Sequence, residues 1–281
     1  MTPMATVAGR SAPLRNAAGR DALDLLRAEW TKVRTVPETG WLVVAIAVLT
    51  AAVSTAVVAV TTCEPGSACA ADVTKLSLTG VEVGQAVVAM LAVLAVSSEY
   101  STGMIRTTFT AMPRRLAVLA AKAAVLTGLV LPAAIAGVLG CLLAGREMLP
   151  GNGFTAARGY ALLSLAQQPT TLRAAAGSVL YLALIGLFSM GVTVILRDSA
   201  VAMGTVLGLL YLAPVVALFV GNPVWQRRIE RYGPTSAGLT VQDTTGLHHL
   251  PIGPWGGLAV LALWAAAALL TGGLVLRLRD A

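Results

Sequence analysis

The chain has 281 residues, of which 57% are hydrophobic and 12% charged, and its mean hydropathy is +0.79. Soluble domains carry about 25% charged and about 45–50% apolar residues, so the composition argues against a water-soluble globule and for burial in lipid. The net charge of +7 would raise nucleic acid as a partner in a soluble protein, but the basic residues here flank apolar blocks, which points to membrane topology and anionic lipid instead.

Residues 1–20, rich in Ala, Gly and Arg, read as a disordered tail. Residues 1–40 hold no apolar run of signal-peptide length, so no cleavable leader is expected. From 21 to 36 the pattern turns helical: Leu23, Leu26, Trp30 and Val33 recur as an apolar stripe, with Asp24, Arg27, Lys32 and Arg34 on other faces. This predicts an amphipathic helix lying along the inner membrane surface and ending near Pro37.

Six apolar blocks follow: Trp41–Val60, Gly80–Val96, Leu116–Leu143, Ala174–Leu196, Ala200–Val220 and Trp255–Leu276. Each approaches the roughly 20 residues a helix needs to cross about 30 Å of hydrocarbon. The blocks are continuously apolar, where barrel strands would alternate, so the fold class is all-α: a polytopic protein of six transmembrane helices in one domain, 21–281. With the N-terminus inside, twelve basic residues fall on inner segments and seven on outer ones, which places both termini in the cytoplasm. Arg197–Asp198–Ser199 forms a tight inner hairpin, while the outer loops are longer. Few ionisable groups enter the spans. Glu82 and Lys122 lie near span ends, and the Lys122 stem can snorkel to the headgroups. Pro132 and Pro214 fall inside spans and predict kinks. Gly204 and Gly208 make a G-x-x-x-G pattern that permits close helix packing. In the first outer loop Cys63 and Cys69 flank five residues, where an extracytoplasmic disulfide can form; Cys141 reads as an apolar packing residue. No metal site is expected from three cysteines without ligand spacing and an adjacent pair, His248 and His249.

The inner segment between the second and third spans is polar but patterned. Glu99 and Arg106 can pair across a turn, Gly103 permits a bend, Ile105 and Phe109 share a face, and Pro113 closes the element before Arg114 and Arg115. A short helix with two apolar knobs is what a cytoplasmic partner can grip.

The run VGQAVVAMLAVLAVSSEYSTGMIRTTFTAMPRRLAVLAAK (Val83–Lys122) resembles permeases of the type-2 ABC exporter family, in particular those of actinobacteria. So do the opening LRAEWTKVRTVPETGW (Leu26–Trp41) and the last span ending in Leu-Arg-Leu-Arg-Asp-Ala. The resemblance implies that Glu99–Arg115 contains a coupling helix, with Glu99, Tyr100, Gly103, Ile105, Arg106 and Phe109 facing an ATPase subunit, and that 21–36 is the connecting helix beside it. It implies two permeases, identical or homologous, with two ATPase subunits in a bacterial plasma membrane, and short re-entrant helices within Pro223–Pro254. An ATP site needs G-x-x-x-x-G-K-[ST], and the sequence has no Gly-Lys dipeptide. The chain is therefore expected to be no enzyme and to carry no cofactor, with ATP-Mg held by the partner. The competing readings are a non-transporting membrane anchor or assembly protein and, more remotely, an intramembrane enzyme, for which no mid-membrane acid pair, His cluster or H-E-x-x-H is present.

Overall fold

The computed structural model describes residues 25–32, 34–35, 37–63, 71–101, 115–158, 160, 163, 168–219 and 222–279. The tail 1–20, Leu23, Val33, Cys69, Gly103, Ile105, Arg106 and Phe109 lie outside them. The described chain is helical, and six helices are long and apolar enough to cross a membrane. A helix over residues 25–32 (α1) comes first. The spans are α2 (Pro37–Val60), α4 (Val81–Ser101), α5 (Arg115–Met148), α6 (Pro169–Leu196), a composite fifth span, and α11 (Pro254–Arg279). A short helix, α3 (Val73–Ser77), precedes α4.

Most helices outrun the apolar blocks from which they were expected. Hydropathy marks the stretch that lipid touches, but the backbone keeps its hydrogen bonds by staying helical through the interface. One extension changes the reading of the inner segment. The second span continues from Val96 to Ser101, so Glu99 and Tyr100 sit on its last turn and not in a loop.

Helix α6 is the centre of the bundle. It packs against α4, α5 and α11, while α2 packs against α5 and α4. The apolar windows of α4 and α6 are each 61% buried, against 22% for α2 and 18% for the fifth span, so the last two form a lipid-facing or partner-facing side. Small residues allow the close crossings. A Cβ at Gly191 of α6 would strike the backbone at Ala268 of α11, and one at Gly80 would strike the Thr50 carbonyl of α2. Hydroxyls buried in the spans bond within their own helices: Ser189 donates to the Ile185 carbonyl at 2.7 Å and Thr193 to that of Ser189 at 2.7 Å. Each is thereby satisfied without water.

The fifth span is not one regular helix. α7 (Ser199–Leu207) widens into a π turn over Gly208–Leu212 before α8 (Ala213–Phe219). Proline at 214 has no N–H for the helical ladder and crowds the carbonyl four residues back, and a π turn relieves both. Among the described residues the G-x-x-x-G pair brings no other helix against its glycines, since a Cβ at Gly204 or Gly208 would meet nothing within 4 Å.

Between the fifth and sixth spans the chain dips back into the bundle. α9 (Pro223–Tyr232) is capped by the Asn222 side chain, which accepts from the Val224 N–H at 2.9 Å. It runs down to the turn at Gly233, and α10 (Pro234–Leu239) returns. The Trp264 indole N–H donates to the Tyr232 carbonyl at 2.9 Å. Trp264 lies ten residues beyond Pro254, so the turn sits about 15 Å below the start of α11 at 1.5 Å per residue. The returning arm is buried between α6 and α11: Gly238 packs on the Tyr181 ring, and Val241 fills the space left by Gly177.

Candidate functional site

The end of the bundle carrying α1 gathers four charged side chains beside a cavity. Leu25 and Glu29, four residues apart, share the face of α1 that turns toward α5; Leu25 is buried with Val118 and Ala121, and Leu26 packs beside them. Of the expected stripe, Leu23 and Val33 lie outside the described residues, Leu26 is partly buried, and Trp30 is 49% exposed, so an aromatic ring faces the surroundings while a carboxylate faces the bundle.

That inversion works because two lysines meet the acid. Lys122 Nζ donates to Glu29 Oε2 at 3.0 Å and to Glu99 Oε1 at 2.7 Å. Lys32 Nζ donates to Glu29 Oε1 at 2.9 Å and to Glu99 Oε1 at 3.1 Å. The two glutamate side chains are 5% and 6% exposed and Lys122 12%, with Lys32 partly open at 35%. Two opposed pairs cancel in charge, which is what makes four ions tolerable at the edge of an apolar bundle. Burial by itself would raise the Glu29 carboxyl, but Lys122 and Lys32 outweigh it and hold it below the ordinary carboxylate range. Burial likewise works against the Lys32 ammonium, and Glu29 and Glu99 together push it above the usual lysine value. Both therefore stay charged at neutral pH.

One expectation changes here. Lys122 turns its ammonium to two internal acids instead of out of the bundle, using two of its three donors. Glu99 has Lys32 and Lys122 as its described partners; Arg106, the partner expected for it, lies outside the described residues. Next to the quartet the Tyr100 ring lies 5.7 Å from the Arg197 guanidinium. Arg197 closes α6 in a left-handed conformation (φ 59°), and Asp198 caps α7 by accepting from the Val201 N–H at 2.8 Å. The hairpin expected at 197–199 is thus made by a left-handed residue followed by an N-cap.

The quartet forms one wall of a cavity of about 330 Å³. Its other walls are mainly apolar, with Leu42 of α2, Leu91 and Leu94 of α4, Leu129 of α5 and Met190 of α6, and Glu38, Thr39 and Ser97 add polar groups. Of the residues expected to grip a partner, Glu99 and Tyr100 stand at this end, whereas Gly103, Ile105, Arg106 and Phe109 fall outside the described chain. The described helices bring the two borders of that segment, Glu99 and Lys122, into contact with each other and with α1.

The far end is knotted instead of open. Asp72 caps α3, accepting from the Thr74 and Lys75 N–H groups, and also accepts from the backbone and hydroxyl of Thr244 and Thr245. Burial would raise this carboxyl, yet the Thr244 and other hydrogen bonds hold it below its usual value. Lys75 pairs with Asp243 at 2.7 Å, and Arg173 donates to the Asp243 carbonyl. The first loop, the start of α6 and the returning arm are thereby tied together. Cys63 is disulfide-bonded and Cys141 is a free, buried thiol. No group of three or more His, Cys, Asp or Glu side chains able to hold a metal occurs among the described residues.

The signal for the quartet was present only as isolated charges, because Glu29, Glu99 and Lys122 are 93 and 23 residues apart along the paired contacts. The sequence matches no protein-family model and no curated protein. What the fold defines is an integral, multi-pass membrane protein of six helices.

Proposed function

We propose that this chain is the membrane-spanning permease subunit of an ATP-binding-cassette exporter in a bacterial plasma membrane, working with two ATPase subunits and a second permease. The observation that carries the reading is the ion quartet. It clamps α1 to the end of α4 and the start of α5, the two helix ends bordering the segment in which the family resemblance puts a coupling helix. A push on that segment would reach both spans and α1 together, since salt-bridged and packed elements move as a body. The re-entrant pair α9–α10 also falls between the fifth and sixth spans, in the interval where the resemblance expects it. In this reading the α1 end is cytoplasmic, ATP-Mg is bound by the partner, and the sparsely buried faces of α2 and the fifth span meet the second permease.

The test is recovery of partners and uncoupling. The tagged chain, solubilised from its native membranes, is expected to bring down an ATPase carrying a phosphate-binding loop. Arg106→Glu is expected to leave the assembled chain intact while abolishing transport-linked ATP hydrolysis. Absence of any ATPase from the purified material, or full coupling in the variant, would refute the proposal.

A further inference from the structure

The quartet has unspent hydrogen-bonding capacity, and it faces a cavity. Each lysine ammonium has three N–H donors and uses two on Glu29 and Glu99. Among the described residues Glu99 accepts both of its bonds on Oε1 and none on Oε2. One wall of the cavity therefore offers donors and an anionic acceptor side by side, with no net charge among the four ions. The rest is mostly hydrocarbon, with Leu42, Leu91, Leu129 and Met190 inside and Leu94, 42% exposed, at the mouth, beside the polar Glu38, Thr39 and Ser97. At about 330 Å³ the cavity stands at the low end of the roughly 300–1,000 Å³ typical of small-molecule sites. That is room for a headgroup and the first stretch of a chain, so the remainder of an amphiphile would stay in the bilayer. The half-exposed Trp30 on the adjoining helix is a residue type that settles at headgroup depth.

We propose that this cavity binds the headgroup of a zwitterionic phospholipid bearing a primary ammonium, a phosphoethanolamine, drawn from the adjoining leaflet. Its phosphate takes the spare Lys32 and Lys122 donors, its ammonium donates to Glu99 Oε2, and one acyl chain leaves past Leu94. A lone anion would meet two carboxylates within the same cluster, and a lone cation two ammoniums, so a headgroup carrying both charges is the complementary one. Glu38 on the rim adds a negative charge, which disfavours an anionic glycerol headgroup further. A quaternary choline cannot donate the hydrogen bond to Glu99. The site lies within one chain and does not depend on the transport reading.

The experiment uses the full-length chain purified in detergent, stripped of lipid, and titrated separately with phosphatidylethanolamine, phosphatidylcholine and phosphatidylglycerol while bound lipid is counted by native mass spectrometry. The expected result is a single phosphatidylethanolamine bound about tenfold or more tighter than either of the others. Leu129→Trp fills the apolar end and is expected to weaken that binding by about tenfold; Leu94→Trp, at an exposed position that tolerates bulk, is expected to do the same by blocking the mouth. Equal binding of the three lipids, or undiminished phosphatidylethanolamine binding in a folded Leu94→Trp or Leu129→Trp chain, would overturn the proposal and leave only ordinary annular lipid. Absence of any co-purifying ATPase, with lipid binding unchanged, would count against the exporter reading alone.

Discussion

Lys122 sits where it touches two acids and is nearly enclosed, so its removal strands charge. Lys122→Met leaves Glu29 and Glu99 facing each other with Lys32 as their remaining partner, and breaking such a buried pair costs about 3–5 kcal/mol. Unfolding titrations of the purified chain are expected to show a loss of that order. Combining Lys122→Met with Glu99→Gln should cost clearly less than the two single losses summed, because one network is being removed twice; strict additivity would mean the quartet is not formed. At the opposite end, Asp72 has its carboxyl lowered by the hydrogen bonds from Thr244, Lys75 and Thr245. A lowered carboxyl stabilises fully above its ordinary value of 3.8 and loses that contribution as the pH falls through the lowered one. Melting temperatures of the native chain should therefore drop on acidification below about pH 4 more steeply than those of Asp72→Asn, which starts lower by about 1–3 kcal/mol from the lost cap. Parallel acid profiles would show that Asp72 is not the group that titrates.

At the scale of elements, the re-entrant pair owes its place to small residues. Gly257 of α11 lies against the Ala237 carbonyl and the Thr240 hydroxyl, and a Cβ there would overlap backbone, which cannot swing aside. Gly257→Val is expected to lift α10 from α11 and destabilise the fold by about 1–3 kcal/mol. Gly204→Ala, with nothing within 4 Å, should be neutral or slightly stabilising through helix propensity. Thermal unfolding of the two variants checks this, and equal effects would contradict the packing described. The contrast also separates two kinds of glycine that look alike in sequence. The G-x-x-x-G pattern at Gly204 and Gly208 finds no neighbour among the described residues, while the same spacing at Gly80 and Gly84 and at Gly253 and Gly257 includes a glycine at a close contact, as does Gly191, which is in no such pattern.

For the whole molecule, the proposed orientation has a direct readout. Gly151 is exposed at the end away from α1 and a Cβ there makes only ordinary contact, and Arg34 is exposed at the α1 end. In intact cells a membrane-impermeant maleimide should label Gly151→Cys and leave Arg34→Cys untouched until the cells are opened; the reverse pattern would place the α1 end outside.

The six spans were legible before any coordinates, because lipid selects for continuous apolar length and every span must supply it locally. The short hairpin at Arg197 and Asp198 was legible for a similar local reason, whereas re-entrant helices between the fifth and sixth spans were expected only from the family resemblance. The inward Glu29 was not legible. Spacing marked the apolar residues of α1 but not the carboxylate that turns to the bundle, since a buried carboxylate is acceptable only where Lys32 and Lys122 meet it. Periodicity scores a charge as polar wherever it stands and carries no record of a partner 93 residues away. Sequence by itself thus determined that the chain has six segments long and apolar enough to cross a membrane, a property of each segment's own hydrophobicity. Only the tertiary structure decided which charges meet, which glycines touch, and that the meeting point opens onto a cavity, because those depend on contacts between segments that no local pattern encodes.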